Sequence, residues 1–218
     1  MKLAASLLAA DFACLAREVE RVEPAVDLLH LDVMDGNFVP NLTFGPPVAN
    51  ALRKHTSLPF AIHLMIEHPV RYAQEFQVSP VDSITFHIEA ADPPEEALRA
   101  IRDLGCRVGI SSRPRTPLAE VFPYLGMVDL VLVMSVEPGF GGQAFLPDAV
   151  GRIQALRREI GERAVEIAVD GGIGPGNVRN VVEAGADVVV AGSAIFGTPD
   201  PHAAALELWT RAGRTKRS

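Results

Sequence analysis

Four side chains with metal-binding chemistry lie at the ends of short apolar runs. His30 and Asp32 are two residues apart, so on a strand their side chains share one face. His63 and Asp170 close two other runs. Two imidazoles and two carboxylates suit zinc, iron(II), manganese or cobalt better than a soft metal. A single strand histidine is more often a core residue, so the prediction of one divalent metal site depends on all four converging.

Glycine-rich turns follow three later runs in succession. Glycines let backbone N–H groups approach an anion closely, and the N-terminus of a following helix adds positive potential. One such turn alone is more often just a tight connection, but three in a row favour a phosphate site. The residues expected to form it are Gly139, Phe140, Gly141, Gly142, Gly171, Gly172, Gly192 and Ser193.

Two further groups of side chains are ambiguous. His87 and Glu89 repeat the histidine–acid spacing, but the sequence names no further partner, so we interpret them as supporting or structural residues. Met34, Met65 and Met134 lie at or just past the ends of apolar runs. Core filling is the slightly favoured interpretation, and an apolar lining that excludes water from the site is the alternative.

Short apolar runs alternate with amphipathic stretches from end to end. Eight strand–helix units of roughly 27 residues predict a closed (β/α)8 barrel, in which functional residues cluster at the carboxyl ends of the strands. A doubly wound open sheet is the competing fold, but no G-x-G-x-x-G motif follows the first run. The predicted strands are Leu3–Leu8, Asp27–Val33, Pro59–Met65, Ser83–Ile88, Cys106–Ser111, Val128–Ser135, Glu166–Asp170 and Asp187–Ala191.

The segments between the predicted strands contain helix start signals and one long loop. Thr116-Pro117 is typical of a helix start, with a capping residue followed by proline. Residues 36–47 form the longest irregular stretch and follow a strand end, where long loops are often functional. We expect one domain over residues 1–218, with a polar tail from about residue 211.

Composition limits the classes of partner. The chain has 218 residues, 48% of them hydrophobic, and a net charge of -7. Because binding a nucleic acid needs a basic patch, the charge argues against that partner. Cys14 and Cys106 are far apart, which fits a reducing cytoplasm. The N-terminal ten residues resemble a short signal peptide, but a first barrel strand is the favoured interpretation, and no apolar run is long enough to span a membrane.

The chain resembles the ribulose-phosphate 3-epimerase family over nearly its whole length. The second and fifth of the matching stretches are long enough to be specific. The stretches are Ser6–Phe12, HLDVMDGNFVPNLTFGPP from His30 to Pro47, HLMIEHP from His63 to Pro69, Phe86–Ala90, VLVMSVEPGFGGQAF from Val131 to Phe145, Asp170–Ile173 and Ala191–Phe196.

This resemblance implies a specific activity: interconversion of D-ribulose 5-phosphate and D-xylulose 5-phosphate by metal-assisted proton transfer at C3 through an enediolate. By position, it implies that His30, Asp32, His63 and Asp170 bind the metal, that Asp32 and Asp170 are the acid–base pair, and that Ser6 and His63 contact substrate. It also suggests a homo-oligomer. The chain departs from the family pattern at Ala61, where an acidic residue is common, and in the polar stretch 110–117.

Three alternatives remain open at this point. The same chemistry on a hexulose 6-phosphate such as D-allulose 6-phosphate depends on pocket length, which the sequence does not give. Another phosphate-binding barrel, such as an aldolase-type synthase or an indole-ring biosynthetic enzyme, is disfavoured by the paired His and Asp residues. A catalytically silent sugar-phosphate-binding protein is disfavoured because both carboxylates are present.

Overall fold

Eight parallel strands form a closed barrel in the computed structural model, which describes residues 1–216. Every strand pairs with the next in the chain, and the first also pairs with the last, so the competing open sheet is excluded. The strands are β1 (Lys2–Ser6), β2 (Leu28–Met34), β3 (Phe60–Met65), β4 (Ser83–His87), β5 (Arg107–Ser112), β6 (Leu130–Met134), β7 (Glu166–Asp170) and β8 (Val188–Ala191).

The predicted strands are confirmed, with boundaries that differ by a few residues. One difference that affects the site is at β1, which ends at Ser6 rather than Leu8. There the Ser6 hydroxyl accepts the Leu8 N–H at 3.3 Å and starts a 3-10 turn over Leu7–Ala9. Lys2–Ser6 lies between β2 and β8, as the barrel interpretation of the N-terminal segment predicted.

Helices cover the outside of the barrel and bury an apolar layer against the strands. Side chains such as Val19, Leu98 and Ile153 are fully buried in this layer. The helices are α1 (Leu15–Val22), α2 (Pro46–Leu52), α3 (Pro69–Ala73), α4 (Pro94–Arg102), α5 (Asp148–Ile160), α6 (Val178–Ala184), α7 (Ser193–Phe196) and α8 (Pro201–Arg211). None of these helices is long and apolar enough to cross a membrane.

One predicted helix is wrong. After Thr116-Pro117 the chain forms two 3-10 turns, Leu118–Glu120 and Phe122–Tyr124, instead of an α-helix between β5 and β6. Pro123 would fall inside that helix, where it lacks an N–H and its ring collides with the preceding turn. The β5–β6 connection, residues 113–129, therefore contains 3-10 turns and no α-helix.

The C-terminal segment is only partly a tail. Helix α8 extends through Arg211, the first residue of the predicted tail. Lys216 donates to the Val26 carbonyl at 2.8 Å and pairs with Asp27. Residues 217–218 lie outside the described part of the chain.

Candidate active site

The four predicted metal ligands meet inside the carboxyl end of the barrel. Asp32 on β2 is level with His63 on β3, and their closest atoms, Oδ1 and Nδ1, are 3.1 Å apart. Asp170 ends β7, and its Oδ2 lies 3.7 Å from His30 Nε2. One ligand atom from each of the four residues lies within 4.8 Å of the others. The convergence that the spacing predicted is therefore present.

His30 shows that this set fits a metal ion. Its ring is 3% exposed, and neither ring nitrogen has a hydrogen-bond partner in residues 1–216. Nε2 lies 3.2 Å from Asp32 Oδ1 without hydrogen-bond geometry. Buried polar atoms normally have hydrogen-bond partners. An unpaired imidazole nitrogen that faces two carboxylates is therefore the arrangement expected of a metal ligand. The nitrogen–oxygen donor set is one that zinc, iron(II), manganese and cobalt accept.

The two carboxyl groups differ in their electrostatic environment. Burial disfavours the charged form of Asp32, but His30 and His63 outweigh it and hold the pKa of Asp32 well below its usual range. Burial and the negative charge of Asp32 raise the pKa of Asp170 to about 7. Without metal, one carboxyl group is therefore ionised while the other still holds its proton near neutral pH.

His30 and His63 also have pKa values that are shifted in opposite directions. Burial lowers the pKa of His63 to about 4, so its ring is neutral. Burial also opposes a charge on His30, but the carboxylates of Asp32 and Asp170 outweigh burial and raise its pKa. A cation bound to these side chains would compete with protons for the same atoms.

Two hydroxyl groups hold Asp32. The Ser6 hydroxyl, at the end of β1, donates to Asp32 Oδ2 at 2.7 Å. Thr43 Oγ1 donates to the Asp32 carbonyl at 2.6 Å and accepts the Met34 N–H at 3.0 Å. Thr43 comes from the loop between β2 and α2, and no spacing in the sequence pointed to it. Ser6 lines the cleft, so its predicted contact with substrate stays a prediction.

The backbone of the turn after Asp170 packs closely against neighbouring residues. Ser135, a buried residue that the sequence did not single out, bonds through Oγ to the carbonyls of Asp170 and Gly171 at 2.8 and 2.7 Å. Gly171 and Gly172 have φ angles of 119° and 62°. A Cβ atom on Gly171 would lie 2.5 Å from the Val136 side chain, and one on Gly172 would lie 2.6 Å from the Phe145 N atom. Only glycine fits both positions.

The predicted phosphate residues line one cleft beside the metal cluster. Helix α7 begins at the cleft, next to Gly192. The N–H groups of Ile195 and Phe196 both donate to the Gly192 carbonyl at 2.9 Å. The N–H groups before them have no partner within the helix and suit an anion. The Phe140 ring is 53% exposed. Cleft residues include Ser6, Asp32, Gly139, Phe140, Gly141, Gly142, Asp170, Gly171, Gly172, Gly192 and Ser193.

The three methionines also line this cleft. Met34, Met65 and Met134 are each at most 3% exposed. Met34 and Met65 pack with Val39 from the loop after β2. The two interpretations of these residues therefore coincide, because the same side chains fill the barrel end and present an apolar surface to the cleft.

His87 and Glu89 have the partner that the sequence did not reveal. His87 Nε2 lies 2.8 Å from His63 Nε2, and His87 Nδ1 lies 3.3 Å from Glu89 Oε2. Arg113 donates its backbone N–H to Glu89 Oε1 at 2.8 Å. Burial disfavours the charged form of Glu89, but these hydrogen bonds outweigh it and lower the pKa of Glu89 to about 2. The chain of contacts therefore ends on an ionised carboxylate.

The polar stretch after β5 is held from α5. The Arg152 guanidinium donates to the carbonyls of Pro114 and Thr116 at 2.9 Å and to the Ser112 hydroxyl at 2.9 Å. Arg113 donates to the Phe38 carbonyl at 2.7 Å, with its guanidinium 4.3 Å from the centre of the Phe38 ring. This departure from the family pattern thus connects the β5 loop to the loop after β2.

A second cavity reaches His30 from the opposite end of the barrel. It measures about 440 Å³ and is lined mainly by apolar and small side chains of the barrel interior. Ala61, the other departure from the family pattern, is the neighbour of His30 on β3 and lines the same cavity. A residue with a longer polar side chain at position 61 would therefore enter the space beside His30.

The fold and the site together are those of a (β/α)8-barrel enzyme, with a buried cluster of histidines and aspartates that could hold a metal ion beside a glycine-lined cleft. A model of the ribulose-phosphate 3 epimerase family matches residues 2–196, and the chain belongs to that family.

Named relatives agree with this assignment. The chain is 46% identical over 213 residues to a ribulose-phosphate 3-epimerase of Mycobacterium tuberculosis (strain ATCC 25618 / H37Rv), covering 97% of this chain and 93% of that protein. It is also 46% identical over 205 residues to the cytoplasmic isoform of Oryza sativa subsp. japonica, covering 92% and 89%. Orotidine 5'-phosphate decarboxylase from Pyrococcus horikoshii OT3 shares the fold, with a TM-score of 0.68, 16% identity and coverage of 97% and 99%.

Proposed function

We propose that this protein interconverts D-ribulose 5-phosphate and D-xylulose 5-phosphate by moving a proton at C3. The observation that carries the proposal is the pairing of Asp32 and Asp170 beside one cleft with opposite pKa shifts. Inversion at a carbon next to a ketone needs one group that takes a proton and another that returns it. The named relatives support the substrate.

The positions of the two aspartates support two separate proton transfers. Asp32 is on β2 and Asp170 on β7, and β1 and β8 lie between these strands in the barrel. One carboxylate removes the C3 proton from one face of the substrate, and the other carboxylic acid returns a proton to the opposite face. Ser6 holds Asp32 through its Oδ2, which leaves Oδ1 toward the two histidines.

His30, Asp32, His63 and Asp170 are proposed to hold one divalent cation. When bound, such an ion supplies a positive charge beside the substrate carbonyl and makes the neighbouring C–H more acidic. Met34, Met65 and Met134 exclude water from the same space, so charge that develops on the substrate is stabilised by fixed groups rather than by solvent. The glycine turns after β6, β7 and β8 hold the phosphate at the far end of the cleft.

The test follows the C3 proton by NMR in deuterated water. With metal-replete protein we expect the C3 signal of ribulose 5-phosphate to disappear while xylulose 5-phosphate forms. Allulose 6-phosphate in parallel ranks a hexulose against the pentulose. Exchange on neither sugar would contradict the proposed epimerase activity. Faster exchange on the hexulose would contradict the proposed pentulose substrate.

Asp32→Asn and Asp170→Asn test the residues themselves. Each is expected to slow exchange by at least about 100-fold, the usual contribution of a general acid or base. Asp103→Asn, on the exposed end of α4, is the matched control and should retain the wild-type rate. A site variant with a near-normal rate would contradict the two-aspartate mechanism.

We also propose that copies of this chain associate through the face around α2 and α3. Large apolar side chains are exposed there: Leu42 is 73% exposed, Tyr72 38% and Val48 37%. Burying them against a second copy would remove apolar surface from water. Light scattering of the wild type and of a Leu42→Asp variant tests this. Equal masses at the monomer value would contradict the assembly.

A cytoplasmic location is proposed on two observations. Cys14 and Cys106 are both free thiols, as expected in a reducing compartment. The relative from Oryza sativa is named a cytoplasmic isoform. Fractionation of the source cells with an antibody to the chain would test the location.

A further inference from the structure

We infer that His87 and Glu89 are positioning residues for His63, fixing the nitrogen and the ring orientation that His63 presents to the metal. The inference rests on the proposed metal site but concerns residues outside it. Neither residue touches the cleft. Their role follows from the contacts of the three side chains.

The first step is the direction in which His63 points. Its Nδ1 lies 3.1 Å from Asp32 Oδ1 and 3.9 Å from Asp170 Oδ2, so this nitrogen belongs to the ligand cluster. Its Nε2 points away from the cluster and lies 2.8 Å from His87 Nε2. His63 is therefore shared between the cluster and His87.

The second step is to place the hydrogens. A metal ligand needs a free lone pair, so with the proposed cation bound His63 Nδ1 would be bare and its hydrogen would be on Nε2. His87 Nε2 must then accept that hydrogen, which leaves the hydrogen of a neutral His87 on Nδ1. Glu89 Oε2, at 3.3 Å from His87 Nδ1, is an acceptor in the required place. One arrangement of hydrogens thus satisfies the whole chain.

The third step is that Glu89 and His87 are themselves held. The Arg113 N–H donates to Glu89 Oε1 at 2.8 Å, and the Phe38 ring lies with its centre 5.0 Å from that of His87. His63 and His87 are both fully buried. Because a buried ring nitrogen that loses its hydrogen-bond partner destabilises the folded state, the network resists rotation of His63.

His30 provides an internal comparison. It belongs to the same ligand cluster, but its ring nitrogens have no hydrogen-bond partner in the described chain. Ligating histidines usually donate their other nitrogen to a group that fixes the tautomer. Of the two histidines in the cluster, only His63 has such a partner within residues 1–216.

The experiment measures Co²⁺ binding to metal-free protein, by competition with a chelator and by the visible absorption of the bound ion. Loss of an outer partner typically weakens metal binding 10–100-fold. We expect that loss, and an altered Co²⁺ spectrum, for His87→Leu. His87→Gln keeps an acceptor near the Nε2 position and should recover most of the affinity and the spectrum.

His68→Leu is the matched control. His68 also pairs with a carboxylate, its Nδ1 lying 2.9 Å from Asp92 Oδ1, but the pair is at the surface. This variant should bind Co²⁺ like the wild type. Thermal unfolding in EDTA checks that each variant folds, and Glu89→Gln, with a smaller expected loss, tests the network if His87→Leu does not fold.

The outcomes are distinct. His87→Leu with wild-type affinity and spectrum would overturn the inference, and so would a His87→Gln variant as weak as His87→Leu, because hydrogen bonding would then not be the cause. A wild-type protein that binds no Co²⁺ would instead overturn the metal site of the proposed function, and the positioning role with it.

Discussion

Replacing Gly171 by alanine should destabilise the protein strongly. The added methyl group would collide with a neighbouring residue, and it would also strain the backbone. The new Cβ would lie 2.5 Å from Val136 Cγ2 and 2.9 Å from the Val136 N atom. Overpacking of this kind costs about 1–3 kcal/mol. The φ angle of 119° adds strain of about 1–3 kcal/mol for a residue with a side chain. Together they predict a loss of roughly 2–6 kcal/mol.

Thermal unfolding in EDTA is the assay, since it removes any contribution from bound metal. For a domain of this size each kcal/mol lowers Tm by about 2–4 °C, so the variant should lose at least about 4 °C. Gly151→Ala is the control: Gly151 is exposed within α5, nothing lies within 4 Å of its added Cβ, and alanine should raise Tm slightly. A Gly171→Ala variant within one degree of the wild type would refute the reasoning.

Two further predictions concern the metal site. Apparent Co²⁺ affinity should rise with pH, by at least about tenfold between pH 6 and pH 8, because the proton on Asp170, with a pKa of about 7, must leave. Chelator competition at several pH values measures this, and an affinity that does not change with pH would contradict it. Ala61→Asp should tighten Co²⁺ binding by up to about tenfold, because it places an acceptor beside the unpaired His30 ring. Ala61→Val fills the same space without an acceptor and should leave the affinity unchanged.

The sequence was sufficient for the fold and for the convergence of the four candidate ligands. Period-two spacing placed His30 and Asp32 on one face of a strand, and the barrel topology brought His63 and Asp170 to the same end. The helix after Thr116 was predicted wrongly because a local start signal was weighted above Pro123 further along. A helix start signal depends on only a few neighbouring residues, so it does not take account of a proline several residues further along.

The supporting residues could not be predicted for a different reason. Ser135 and Arg113 contact residues at least 24 positions away in the sequence, and Thr43 contacts Asp32 from 11 positions further along the loop after β2. The link between His87 and His63 joins inward-facing side chains of β3 and β4, and it depends on ring orientation rather than on spacing. A hydroxyl or guanidinium in a loop carries no periodic signal, so only the packed structure reveals its partner.

The order of the ligands along the chain has a consequence for biosynthesis. His30, Asp32 and His63 leave the ribosome early, whereas Asp170 follows more than a hundred residues later. The barrel closes only when β8 pairs with β1, which also brings Gly192 against Ser6. The set of four candidate ligands is therefore assembled only after β8 has been made. Under the proposed metal binding, a cation stabilises the state that holds it, so newly made chains in a metal-starved cell would reopen more often and be degraded sooner.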